Sequence, residues 1–127
     1  MKENEIAKSL VDLFYRIHVQ YGPGLLESVY EELLCYELHK IGFEFSRQKE
    51  IPLHHDGKVM GIGFRADIIV EGKVIIEIKS VEAIHPVHPK QVQTYLRLTN
   101  LKLGLLVNFN VPLIKNGICR IVNGLED

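Results

Sequence analysis

Two acids and an amine stand where a β-sheet would bring them together. Asp67 lies in a strand-like run from about Val59 to Val70, and Glu77 sits inside Val74-Ile75-Ile76-Glu77-Ile78, the sequence of a central strand. Lys79 follows Glu77 by two residues and so shares its side of the strand. A carboxylate among such apolar neighbours is costly unless it meets a cation or a metal. Two neighbouring carboxylates repel and drive one pKa upward, a penalty that a divalent ion removes. Mg²⁺ takes one or two carboxylates plus water at about 2.0–2.1 Å. Lys79 beside them would hold and orient a metal-bound water or stabilise developing negative charge. The same spacing also suits an exposed sheet face on which Lys79 salt-bridges Glu77, and spacing alone leaves both readings open.

Register separates them. A two-residue Glu71-Gly72 turn would pair Val70 with Lys73 and set Asp67 opposite Ile76, so that Asp67 and Glu77 lie on different faces. A three-residue loop, Glu71-Gly72-Lys73, sets Asp67 opposite Glu77. A metal site therefore requires that odd loop or an equivalent bulge.

Other polar residues fall beside apolar stripes. Glu27 and Tyr30 are three apart on one side of a helix. Glu27 is at the edge of the stripe, within reach of the sheet, and it also suits a first-turn glutamate favoured by the helix dipole. Gln91 and Tyr95 share a later helix face, with Val92, Tyr95, Leu96 and Thr99 as its core side and Gln91 on the margin. Tyr95 fits a core role as well as a ligand role. His85 and His88 flank Pro86 and suit either phosphate contact or loop capping, while His54-His55 falls at a solvated hairpin tip. There is no CxxC or HxxxH zinc arrangement and no glycine-rich phosphate loop, and Ser80 lacks a nucleophile's setting.

These side chains need elements to carry them. Ile6, Leu10, Leu13, Phe14, Ile17 and Tyr21 recur at helical spacing, and Gly22-Pro23-Gly24 stops that helix. A second helix runs from about Leu25 to Ile41, with Leu26, Val29, Tyr30, Leu33, Leu34 and Ile41 on one broad face and Gly42 at its end. The period then drops to two: Phe43, Phe45, Ile51 and Leu53 alternate with polar residues. Asp56-Gly57 marks a hairpin into the Val59–Val70 strand, whose even positions Ile62, Phe64, Ala66, Ile68 and Val70 form one core face. A third strand spans about Lys73 to Lys79, and a helix opened by Pro86 and Pro89 reaches about Asn100. Leu103 to Phe109 reads as a strand covered on both faces, and Ile118 to Val122 as a short last strand. The order is ααβββαββ, an α/β fold with a mixed sheet flanked by helices.

At 127 residues the chain is expected to form one domain over 1–127, large enough for its own core without metal or disulfide. Its net charge of −1 argues against a polycation that coats nucleic acid. The charge is uneven: residues 1–42 carry four basic and seven acidic groups, residues 86–127 five and two. The C-terminal third is the better place to meet an anion. Cys35 and Cys119 lie in apolar stretches and read as buried free thiols in a reducing compartment. The charged start and the lack of any run near the ~20 apolar residues of a membrane span predict a cytoplasmic protein that does not engage membranes.

Asp67, nine residues, then Glu77-Ile78-Lys79 resembles the D…(D/E)xK signature of the PD-(D/E)XK nuclease superfamily. Gln91-Val92-Gln93-Thr94-Tyr95 resembles the QxxxY element that follows it in exonuclease and RecB-like branches. Gly24-Leu25-Leu26-Glu27-Ser28-Val29-Tyr30 is similar to the GxxExxY pattern that names a family of small proteins. The superfamily's proline is replaced by Ala66. The resemblance implies a restriction-endonuclease-like fold. It also implies a nuclease in which Glu27, Asp67, Glu77 and the Ile78 carbonyl hold Mg²⁺, with Mn²⁺ as the alternative. Lys79 would position the attacking water, and Gln91 and Tyr95 would brace the site or meet substrate. Arg65, Lys90 and Arg97 are the candidates for phosphate contacts. DNA is the expected substrate and RNA the alternative, with a homodimer or protein partner supplying basic surface. The competing readings are a non-catalytic module that keeps the fold and binds nucleic acid or protein, and a scaffold whose charges are surface ion pairs.

Overall fold

The computed structural model describes residues 1–126, and of Ile62 only the backbone. The elements are α1 (Glu3–Tyr21), α2 (Glu27–Lys40), β1 (Phe45–His55), β2 (Lys58–Val70), β3 (Val74–Lys79), α3 (Val87–Thr99), β4 (Leu103–Asn108) and β5 (Ile118–Val122), with a 3₁₀ turn at Ile114–Gly117. The five strands lie in chain order in one mixed sheet. β3 and β4 are its parallel pair, and α3 is the crossover between them; the other pairs are antiparallel. No helix among the described residues is long and apolar enough to cross a membrane.

Helices cover both faces. α1 and α2 press Ile6, Leu10, Phe14, Tyr30, Leu34 and Leu38 onto Ile68, Val70, Val74, Ile76 and Ile78. α3 presses Val92, Tyr95 and Leu96 onto Ala66, Ile75, Leu106 and Ile121. β4 alternates between these two cores and is buried along its length, as its unbroken apolar run predicts. Gly104 lets α3 come close: a Cβ there would lie 2.6 Å from Val92 Cγ1.

The Asp56-Gly57 turn forms with both residues at positive φ, 51° and 74°, which matches the right-handed twist of the hairpin. The strands it joins depart from the expected simple alternation. Ile68 and Val70 face α1 and α2, whereas Ala66 and Phe64 face α3. β1 changes over at the same level, with Phe45 against the first core and Ile51 in the second. Arg47 pairs with Ile68 and Lys49 with Ala66 across the hairpin, so Gln48 stands opposite Asp67. Gln48 has φ 52°, in the left-handed region. The hairpin thus bends at Gln48 and Asp67, and the even positions of β2 do not share one face.

Two smaller expectations also fail. On α2, Leu26, Val29 and Ile41 are exposed, and Leu38 and Cys35 take up the core face instead. Cys119 is exposed although its segment is apolar, because β5 is an edge strand and pairs only with β4.

Candidate active site

The loop between β2 and β3 is Glu71-Gly72-Lys73, since Val70 pairs with Val74. The ladder runs through Ile69–Ile75 and Ile68–Ile76 and stops there. Continuing that register sets Asp67 opposite Glu77. The main-chain amides freed by the opening are taken up by the two acids: Asp67 N donates to Glu77 Oε1 at 2.9 Å, and Ile78 N donates to Asp67 Oδ2 at 2.8 Å.

Burial and mutual repulsion set the electrostatics. Glu77 is only 7% exposed. Desolvation first, and then the charge of Asp67, push its pKa up to about 8. The Asp67 pKa is raised too, mainly by burial and further by Glu31 on α2. Lys79 opposes both shifts through its positive charge and does not cancel them. The carboxyls lie within hydrogen-bonding reach of one another, which raises Glu77 further. Such a pair needs a shared proton or a cation. Its donors are all oxygens, the set a hard divalent cation takes.

The α3 side contributes Tyr95, buried against Phe64 with ring centroids 5.4 Å apart. Its hydroxyl pKa is raised by burial and then by Glu77 and Asp67, so it lies in the field of the pair. From the other side, Glu27 Oε2 accepts the amide of Ser80 at 3.2 Å, one residue beyond Lys79. Tyr30, three residues on, is fully buried and stacks on Phe109 at 4.3 Å. Its hydroxyl donates to Gly22 O at 2.6 Å and accepts from Leu25 N at 3.2 Å, which fixes the turn that feeds α2. Ser80 Oγ donates to Leu25 O at 2.6 Å and ties that turn to the end of β3.

A family model described as the PD-(D/E)XK nuclease superfamily matches residues 4–121. The chain belongs to that superfamily. No curated protein and no solved structure matches it. The mixed sheet flanked by helices is the restriction-endonuclease-like fold, and members of the superfamily generally use divalent metal ions.

Against the superfamily's pattern, the structure brings Asp67, Glu77 and the Ile78 backbone into direct contact and sets Lys79 and Tyr95 beside them. Glu27 stands at the rim, hydrogen-bonded to main chain. Among the described residues no three His, Cys, Asp or Glu side chains gather into a ready metal cluster. Gln91, Arg65, Lys90 and Arg97 are exposed.

Sequence reasoning missed three contributors, Glu31, Gln48 and Asn108. Glu31 is a buried acid that accepts Arg47 Nε at 2.7 Å and Gln48 Nε2 at 2.6 Å. Gln48 Nε2 also reaches Asp67 Oδ1 at 3.3 Å. Asn108, 2% exposed, accepts the amide of Val81 and donates to its carbonyl, holding the chain just past Lys79. His88, which the sequence offered for phosphate contact or loop capping, has its pKa lowered by burial and then by Lys79 and His85, while Glu27 opposes, so it shares the rim with Lys79 and Glu27. The signal for Asn108 was an amide closing the unbroken apolar run of β4, since a polar group there must find partners.

Proposed function

We propose that the chain is a divalent-metal-dependent phosphodiesterase acting on nucleic acid, with DNA the favoured substrate and RNA the alternative. One observation carries this reading. The buried Glu77 and the half-buried Asp67 meet where the β2–β3 ladder opens, and Lys79 stands beside them. Asp67, Glu77 and the Ile78 carbonyl would hold Mg²⁺ or Mn²⁺, with Glu27 joining from the rim. When bound, the ion would neutralise phosphate charge and favour ionisation of a nearby water.

The chain's own residues do the rest. The apolar strands fix both carboxyls, with Glu77 buried and Asp67 half-buried, so that a cation can take the place of the proton that the pair shares. Lys79 supplies a positive charge for a phosphate oxygen and a donor that aligns water for in-line attack. Tyr95 braces the pair from α3, and Gln91 meets the substrate backbone. Arg65, Lys90 and Arg97 would contact phosphates. With a net charge of −1, unaided affinity for DNA is weak, so a second copy or a protein partner would add basic surface. The Glu27–Ser80 and Tyr30 contacts give the GxxExxY stretch a structural job and support placing the chain in that branch. Two free thiols suit a reducing cytoplasm.

The test is cleavage of linear duplex DNA, single-stranded DNA and RNA in defined salt, with and without Mg²⁺ or Mn²⁺. Cation-dependent cleavage is expected, falling by at least about 100-fold in Asp67→Ala and Lys79→Ala. Cleavage that survives both substitutions overturns the site. A non-catalytic binding module is favoured by one feature, the engagement of Glu27 with main chain rather than with the acid pair. It predicts cation and nucleic-acid binding with no product under any condition.

A further inference from the structure

The bend in the hairpin is built around one amide. Gln48 Nε2 donates to Glu31 Oε1 at 2.6 Å and approaches Asp67 Oδ1 at 3.3 Å. Two hydrogens on one nitrogen serve two carboxylates, which no hydroxyl or carboxylate at this position reproduces. The backbone of Gln48 stands in the left-handed region, φ 52°, which is unfavourable for a residue with a Cβ. Something must hold it there. Glu31 does so: it is 7% exposed, it belongs to α2, and it is itself anchored by Arg47 Nε at 2.7 Å. Arg47 also reaches Glu32 at 2.8 Å, so two consecutive α2 acids grip the strand.

The contacts form a chain from helix to site. α2 presents Glu31 one turn after Glu27; Glu31 fixes Gln48; Gln48 touches Asp67; and Asp67 takes the amide of Ile78 on the next strand. With one oxygen of Asp67 on Ile78 and the other near Gln48, the carboxylate is restrained from both ends.

We propose that Gln48, held by Glu31, is a positioning residue that sets how Asp67 presents its carboxylate to a divalent cation. The proposal rests on the metal reading above and extends it to a residue outside the superfamily signature. Partners that orient a metal-ligating carboxylate typically change metal affinity or activity by about 10–100-fold when removed.

The experiment uses the full chain and Mn²⁺ alone. Calorimetric titration of the parent is compared with Gln48→Met, which keeps the length of the side chain and loses the donor, and with Glu31→Gln. Both variants are expected to bind Mn²⁺ about 10–100-fold more weakly. In metal-free protein, hydrogen exchange at the Ile78 amide is expected to quicken by about tenfold or more in Gln48→Met while that of Ile75 stays unchanged. In the cleavage assay kcat falls while KM for DNA stays within about twofold. A purely structural role predicts exchange quickening throughout the hairpin and unaltered Mn²⁺ affinity. Parent-like affinity in both variants overturns the proposal and leaves the metal reading standing. A parent that binds no Mn²⁺ overturns the metal reading, and the proposal with it.

Discussion

Asp67 and Glu77 each satisfy main chain on the other's strand: the Asp67 amide rests on Glu77 Oε1 at 2.9 Å, and the Asp67 carboxylate accepts the Ile78 amide at 2.8 Å. Two acids thereby replace the ladder bonds that β2 and β3 lose at this level, and the hydrogen bonds hold them together although their charges repel.

Burial of Glu77 first, and then that repulsion, make stability depend on pH. The Glu77 pKa is raised in the folded chain, from 4.5 to about 8. Between those values the folded state binds the extra proton, so its stabilising contribution is complete below about 4.5 and is lost as pH rises through about 8. Metal-free protein is expected to lose stability across that window, by up to about 1.4 kcal/mol per pH unit. Denaturant melts at several pH values measure it, and Glu77→Gln is expected to flatten the slope. A slope of the opposite sign would contradict the arrangement.

A divalent cation competes with the same proton. Mg²⁺ is expected to remove most of this loss of stability above pH 7, and its apparent affinity should rise with pH through the Glu77 pKa of about 8, levelling off only above it. Thermal melts with and without Mg²⁺ at pH 6 and pH 8.5 make the comparison. A larger Mg²⁺ effect at the lower pH would exclude the acid pair as the binding site.

Tyr30→Phe isolates one hydroxyl. The ring keeps its stack on Phe109, while Gly22 O and Leu25 N lose their shared partner. A stability loss of about 1–2 kcal/mol is expected. Cleavage should fall further than stability alone explains, because the loosened turn also carries Leu25 O, the acceptor for Ser80, and leads into Glu27. Chemical denaturation and cleavage rates on the same samples separate the effects.

Asn108→Leu tests the β3 exit. Its amide pairs with both polar groups of Val81 and accepts Asn110 N at 3.2 Å. Removing it strands buried main-chain groups and is expected to cost about 1–3 kcal/mol. Hydrogen exchange at Val81 should quicken well beyond that at Leu105, which lies in β4 with Asn108 and serves as the internal control.

Gly104→Ala probes the approach of α3. The added methyl would lie 2.6 Å from Val92 Cγ1, with sheet backbone behind it, so helix or side chain must move. A loss of about 1–3 kcal/mol is expected from denaturant melts. Gly104→Ala combined with Val92→Ala should recover part of it, since the second change opens the space that the first fills.

The order of elements, the covered strand β4 and the Asp56-Gly57 turn were legible because each depends on local pattern: helical spacing, an unbroken apolar run, a turn dipeptide. The meeting of Asp67 with Glu77 was legible only conditionally, as a consequence of loop length, because side-chain period along a strand is two and one residue decides the face. The bend at Gln48 was not legible. Glutamine carries no signal for a left-handed backbone, and what holds it there, Glu31, is 17 residues away on a helix whose sequence gives no sign that this acid is buried. Hydrophobic periodicity determined which segments pack. Only the tertiary structure decided which acids share low-dielectric space, because that depends on contacts between segments far apart in the chain.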